Sequence, residues 1–179
     1  MPGKFCPERF NLMIWSILLS LAIAVSQANA QKSSLSIEAA LIYRSGDVKP
    51  VARVEFIVLD ESLATILSNS GIAQPQDISI ITRDKSTQLV ITFGKAALGA
   101  PGHERFLTQA ISAIKPHIVG AETTGFDGKA EIKALPSKPC YVVAAARAGR
   151  GWLIWNLKVQ LKPGANKLLL DQNNAAFVQ

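Results

Sequence analysis

The sequence predicts a mainly β protein, an antiparallel β-sandwich of about seven strands with a helical insertion between the second and third strands. Three observations carry this reading. Alternating apolar and polar residues recur over 35–59 and 117–171, with turn residues spaced about eight to twelve positions apart. Between them, over 60–116, the apolar spacing changes from every second residue to i, i+3, i+4. Residues 120–146 then read as three short strands joined by two sharp turns, at Asp127-Gly128 and between Pro136 and Pro139.

Residues 1–30 stand apart from this pattern. Lys4 and Arg9 precede an apolar run over 12–25, and Ala28-Asn29-Ala30 is a small-x-small cleavage site. The run falls short of the roughly 20 apolar residues that span a bilayer. It is expected to act as a signal peptide, cleaved after Ala30, leaving 31–179 as one exported domain, periplasmic or secreted. No later stretch is long and apolar enough to serve as a transmembrane segment.

Residues 35–44 alternate cleanly, with Leu35, Ile37, Ala39, Leu41 and Tyr43 on one face. Ser45-Gly46-Asp47 turns the chain. A second strand over 51–59 places Val54, Phe56 and Val58 inward and Arg53 and Glu55 outward. Asp60 is the expected cap of a helix carrying Leu63, Ile66 and Leu67, ended by Asn69-Ser70-Gly71. Residues 78–82 read as short and extended. Residues 86–98 are rich in Val, Ile and Thr, yet Leu89, Phe93, Ala96 and Ala97 share a helical face, which favours helix. The cleanest amphipathic helix is 103–114, with Phe106, Leu107, Ala110, Ile111 and Ile114 as its stripe and Pro116 as its stop. That stripe is expected to dock on the sandwich, over Trp152 and Ile154. Of the later strands, 152–161 is the longest. Leu153, Trp155, Leu157, Val159 and Leu161 face inward, and Trp155 and Leu157 are expected to meet Phe56 and Tyr141 between the sheets. Lys162 to Asn166 turns the chain into a strand over 167–171, and 172–179 reads as a loose polar tail.

Charge and cysteine usage narrow the classes. Removing Lys4, Arg9 and Glu8 from the 19 basic and 13 acidic residues leaves 17 and 12, spread along the chain rather than clustered. No nucleic-acid motif accompanies them, and no nucleic-acid partner is expected. Cys6 leaves with the signal peptide, so Cys140 has no internal partner and reads as a small buried hydrophobe. One Cys and two His do not make a structural zinc site. Asp47, Glu122 and Asp127 lack the oxygen spacing of a calcium loop. No metal and no cofactor is expected.

Several turn motifs carry a family resemblance. Thr123-Thr124-Gly125-Phe126-Asp127-Gly128-Lys129-Ala130, then Leu135-Pro136, then Tyr141-Val142-Val143, resembles the "T-D-x-x-G-x-F…L-x-x-G-x-Y" run of the carboxypeptidase regulatory-like family. Gly46 with Pro50-Val51-Ala52-Arg53-Val54 is similar to that family's first strand pair, and Pro163-Gly164-Ala165-Asn166 to its last turn. The resemblance covers about 35–59 and 117–171 and leaves out the insert. Gly125, Ile132 and Lys138-Pro139 depart from the family pattern. The resemblance implies a transthyretin-like or Ig-like sandwich and a module that binds, spaces or braces rather than catalyses.

The residues themselves offer no catalytic constellation. His103 and His117 are the only histidines, both read as surface residues, and no G-x-S-x-G, P-loop or H-E-x-x-H is present. The candidate ligand surface is Arg147, Arg150, Trp152 and Ile154, which bracket one turn, with Trp152 and Ile154 placed by the alternation opposite the core face. A tryptophan beside arginines suits a sugar ring or an anionic polymer, unless the insert covers it. The chain is therefore expected to be a non-catalytic module of the cell envelope with a structural or protein-interaction role, the partner a protein. The alternative is carbohydrate or anionic-polymer binding through Trp152, Arg147 and Arg150.

Overall fold

Two features of the backbone around residues 51–54 set the architecture: Arg53 takes a left-handed conformation, φ 57°, and the strand that the alternation suggests over 51–59 begins only at Glu55. The computed structural model describes residues 32–43, 45–75, 84–148 and 151–178. The signal-peptide reading, the extended segment over 78–82 and Arg150 lie outside the described residues.

The chain before the break forms β1 (Lys32–Ile42) and β2 (Val48–Pro50), joined by a turn in which Gly46 takes φ 89°. After it come β3 (Glu55–Leu59), the helices, then β4 (Ile118–Thr123), β5 (Lys129–Pro136), β6 (Pro139–Ala148), β7 (Gly151–Gln160), β8 (Gly164–Leu170) and β9 (Phe177–Val178). These strands make two sheets. In the four-stranded sheet, β1 pairs antiparallel with β2 and β5 and parallel with β8. The other sheet runs β4-β3-β6-β7-β9, antiparallel throughout. The mainly β sandwich with an insertion after its early strands is therefore present, with nine strands among the described residues.

The strand expected over 51–59 is present from Glu55, as β3, and only residues 51–54 are corrected to a crossover between sheets. Thr124, 2% exposed, holds it. Its hydroxyl donates to the Val51 carbonyl at 2.7 Å and accepts from the Val54 amide at 3.0 Å. Its backbone exchanges bonds with Arg53 and Val54. Thr124→Val keeps the shape but leaves both buried backbone groups unpaired. It should cost about 1–3 kcal/mol in denaturant melts, whereas Thr124→Ser keeps the bonds and should lose under about 1 kcal/mol.

The Asp127-Gly128 turn is sharp, but it is not a hairpin. The strands it joins, β4 and β5, belong to different sheets. Gly128 sits at φ 74°, and a Cβ there would lie 2.4 Å from the Ala39 carbonyl oxygen, so only glycine closes this corner. The second turn, between β5 and β6, also crosses from one sheet to the other.

The helices are α1 (Leu63–Asn69), α2 (Lys85–Ala97) and α3 (Glu104–Ile114). Ser62, not Asp60, caps α1, its side chain accepting from the Thr65 amide at 3.1 Å. Asp84 caps α2, and hydrogen bonds from the Thr87 side chain and the Thr87 and Ser86 amides hold its carboxyl below the usual range. Leu63, Ile66, Leu67, Leu89, Phe93, Phe106, Ala110 and Ile114 join Val143 and Ile154 in a second core on the outer face of the five-stranded sheet. The docking helix is α2. Gly94 of α2 meets Ile154 of β7, where an added Cβ would lie 1.9 Å from Cδ1. The amphipathic α3 packs on α1 and α2, and its Ile111 is half exposed. His103, expected at the surface, is buried at the start of α3.

Between the sheets lie Leu35, Ile37, Phe56, Val58, Ile132, Leu135, Val142, Leu153 and Trp155, with Leu157 partly buried against them. Tyr141 is not among them. Cys140, Val142, Ala144 and Ala146 point into this core, so Tyr141 faces the helices. Burial pushes the Cys140 thiol up, as expected of a core residue. The tail is folded. Asp171 accepts from the Asn173 and Asn174 amides, Gln172 bonds both backbone groups of Ile42, and β9 pairs with β7.

Candidate functional site

Trp152 and Ile154 lie opposite the sandwich core on β7, but neither is an open platform. Ile154 is fully buried under α2. Trp152 is half-buried, its ring stacked on Phe177 at 4.6 Å between centroids, with Lys95 Nζ 5.5 Å from the ring centre. Phe177 comes from the tail that local composition reads as loose, and only the pairing of Ile154 with Phe177 brings it there. A variant with Trp15→Phe and Trp155→Phe leaves Trp152 as the sole tryptophan. Its emission should shift red and its quenching by acrylamide should rise on Phe177→Ala; an unchanged spectrum would mean that Phe177 does not cover the ring.

Arg147 takes another course. Its Nη2 donates to the Leu98 carbonyl at 2.6 Å, on the residue that ends α2, so it braces the negative end of that helix. It also stands at the mouth of a cleft of about 540 Å³. The cleft is a fork in the five-stranded sheet. β3 and β6 pair only from Ile57 to Leu59 against Tyr141 to Val143. Continuing that register would set Glu55 opposite Ala145 and Arg53 opposite Arg147. Instead, Glu55 stays with Thr123 of β4, and the Thr124 clasp draws residues 51–54 the same way. β6 meanwhile stays with β7 as far as the Ala148–Gly151 pair.

Arg53, Glu55 and Ile57 line one arm of the fork, Ala144 to Arg147 the other, and Phe93, Ala97 and Leu98 of α2 roof it. Ala145 leaves the space open because its side chain stops at Cβ, while Ala144 and Ala146 turn theirs into the core between the sheets. The backbone groups of this stretch that would pair with β3 have no strand partner among the described residues. Arg53 lies with its guanidinium carbon 4.5 Å from the centre of the Phe126 ring, and Phe126 is 75% exposed. Among the described residues, neither Arg53 nor Arg147 forms an ion pair with a carboxylate. Arg53 escapes sequence reading because its outward position in an uninterrupted strand would leave it on a plain solvated face.

A second polar cluster joins His117 Nδ1 to Asp60 Oδ1 at 3.0 Å and Lys138 Nζ to Asp60 Oδ2 at 3.8 Å. It ties the start of the insert to its end, where the Asp60 amide also bonds the His117 carbonyl. No serine, threonine or cysteine hydroxyl or thiol is hydrogen-bonded to His117 among the described residues. No group of three or more His, Cys, Asp or Glu is placed to hold a metal ion among the described residues. Among them, no helix is long and apolar enough to cross a membrane.

No protein-family model matches the chain, and no curated protein does. Among solved structures, the chain is similar to a Pseudomonas aeruginosa protein provisionally described as carbohydrate binding. Identity is 12%, the TM-score 0.43, and the alignment covers 80% of this chain and 90% of the other.

Proposed function

We propose that the chain is an exported, non-catalytic β-sandwich module that works in the cell envelope by holding another protein. The observation that carries this reading is the forked sheet, an open strand edge under a helical roof with two arginines at its mouth. Export rests on the basic, apolar and small-x-small segments of residues 1–30, and intact mass of exported material should begin at Gln31. A carboxypeptidase regulatory-like relation rests on the turn residues named above, two of which, Thr124 and Gly128, form the sheet-crossing corner.

A photo-crosslinking residue at Ala97, exposed beside the cleft, tests the reading in cells. Adducts should be protein, should diminish with Arg53→Glu and Arg147→Glu together, and should be absent with the crosslinker at Ser36 on the other sheet. Glycan adducts, or none, would sink it. One observation favours a polysaccharide instead, the exposed Phe126 ring against Arg53, since an open aromatic beside a guanidinium suits an anionic sugar.

A further inference from the structure

We propose that the cleft takes an extended peptide bearing a carboxylate, which adds as a strand along the open edge of β6 where β3 has turned away. This rests on the protein-interaction reading and names its mode. The main-chain argument comes first. From Ala144 to Ala148, β6 is hydrogen-bonded to β7 on one side and, among the described residues, to no strand on the other. Five residues of extended chain span roughly 16 Å, and an incoming strand antiparallel to β6 would occupy the line that β3 vacates at Glu55. Such pairing supplies affinity through backbone groups, and side-chain pockets supply preference.

The edges of the four-stranded sheet show the contrast. Proteins blunt exposed edges with lysines and bulges. β5 carries Lys129 and Lys133 and a register shift opposite Ser33 and Leu35, with Ala134 at φ 59°. β8 carries Lys167. Ala144 to Ala146 carry no charge and no bulge. Their protection is the α2 roof, which bars a second sheet but leaves a cleft of about 540 Å³ for a single chain.

Charge selects the occupant. Arg53 and Arg147 both line the cleft, one on each arm of the fork, and Arg147 uses one of its five N–H donors on Leu98. Glu55 is the one acid in the lining. A carboxylate on the added strand would be held between the two guanidinium groups.

The test uses the protein purified after export, with acetylated and amidated octapeptides of alternating threonine and valine carrying one aspartate at each position in turn. Matched peptides carry lysine instead, and a third set ends in a free carboxylate. Nitrogen–proton spectra and amide exchange are read at residues 144–147. The expected result is at least tenfold slower exchange at alternate amides, and at least tenfold weaker binding of the lysine set. N-methylation of alternate peptide amides should abolish binding. The free-carboxylate set distinguishes a side-chain acid from a chain end as the recognised group. Arg53→Glu with Arg147→Glu should reverse the charge preference; both residues are exposed, and denaturant melts of the double variant separate loss of the Leu98 brace from loss of binding. Ala145→Trp should block the cleft.

Absence of binding by every peptide, binding without protection at 144–147, or loss of these effects to an anionic oligosaccharide such as a galacturonate hexamer that binds tighter and spares the amides, would overturn the proposal. If the peptides fail while the protein adducts at Ala97 persist, strand addition falls and the protein-interaction reading stands. If both fail, both fall.

Discussion

Trp155→Ala should lower stability by about 3–5 kcal/mol, the range for truncating a buried aromatic. Trp155 is fully buried between the two sheets, its ring 5.9 Å from that of Phe56 and tilted 40° to it. Its indole N–H donates to the Asp171 carbonyl at 2.9 Å. The residue therefore couples the sandwich core to the folded tail, and its loss opens a cavity and leaves a carbonyl unpaired. Trp155→Phe separates the two effects. It keeps much of the ring contact and removes the donor, and should cost less than alanine, about 1–3 kcal/mol. Denaturant melts with an unchanged slope would measure both. A nearly neutral alanine variant would mean that β7 is out of register by one residue, which would turn Trp155 outward and Trp152 inward.

The legibility of each element in the sequence follows from how many of its faces are buried. β1 and β7 expose part of one face, so polar residues alternate with apolar ones and the phase can be read. β6 has the sandwich core on one side and the helices on the other. Cys140 to Ala146 is consequently apolar throughout, and nothing local says whether Cys140 or Tyr141 points to the sheets' shared core. The same holds for the helices. α2 lies between the sheet and the other two helices, and Leu89, Val90, Ile91, Thr92 and Phe93 are all buried, which erases its stripe. α3 is peripheral and keeps one. A clean amphipathic pattern thus marked the outer helix, while the docking helix was the ambiguous one.

The turns were legible as turns but not as connections. Gly128 signals a tight reversal whether its flanking strands pair or part. The fork at β3 and β6 depends on Thr124, seventy residues from Val54, and on an arginine with positive φ, neither of which has a local pattern. Arg147 was visible as a candidate because it stands near Trp152 in the chain. Its role as a brace for Leu98 and a wall of the cleft exists only after folding. Phe177 was hidden for the same reason, an aromatic in a polar stretch whose strand pairing is not encoded nearby.

Gly94→Ala gives the sharpest test of where the insert docks, because the two possible packings predict opposite signs. On a helix face open to solvent, replacing glycine by alanine should stabilise by about 0.5–1 kcal/mol, since glycine weakens a helix interior. Here the new Cβ would lie 1.9 Å from Ile154 Cδ1, 2.3 Å from Cγ1 and 3.3 Å from Cγ2. Ile154 is fully buried, and its branched side chain is stiff at χ1, so it has no space to vacate. The expected result is a loss of about 1–3 kcal/mol from overpacking, larger for Gly94→Val. Ile154→Ala alone should also destabilise, by about 2–5 kcal/mol, through the cavity it leaves. Together the two changes should cost less than the sum of each, because the added methyl enters the vacated space; a coupling of 0.5 kcal/mol or more is the scale for residues in contact. Gly94→Ala that stabilises, or additive costs in the pair, would place α2 away from β7 and leave the cleft without its roof.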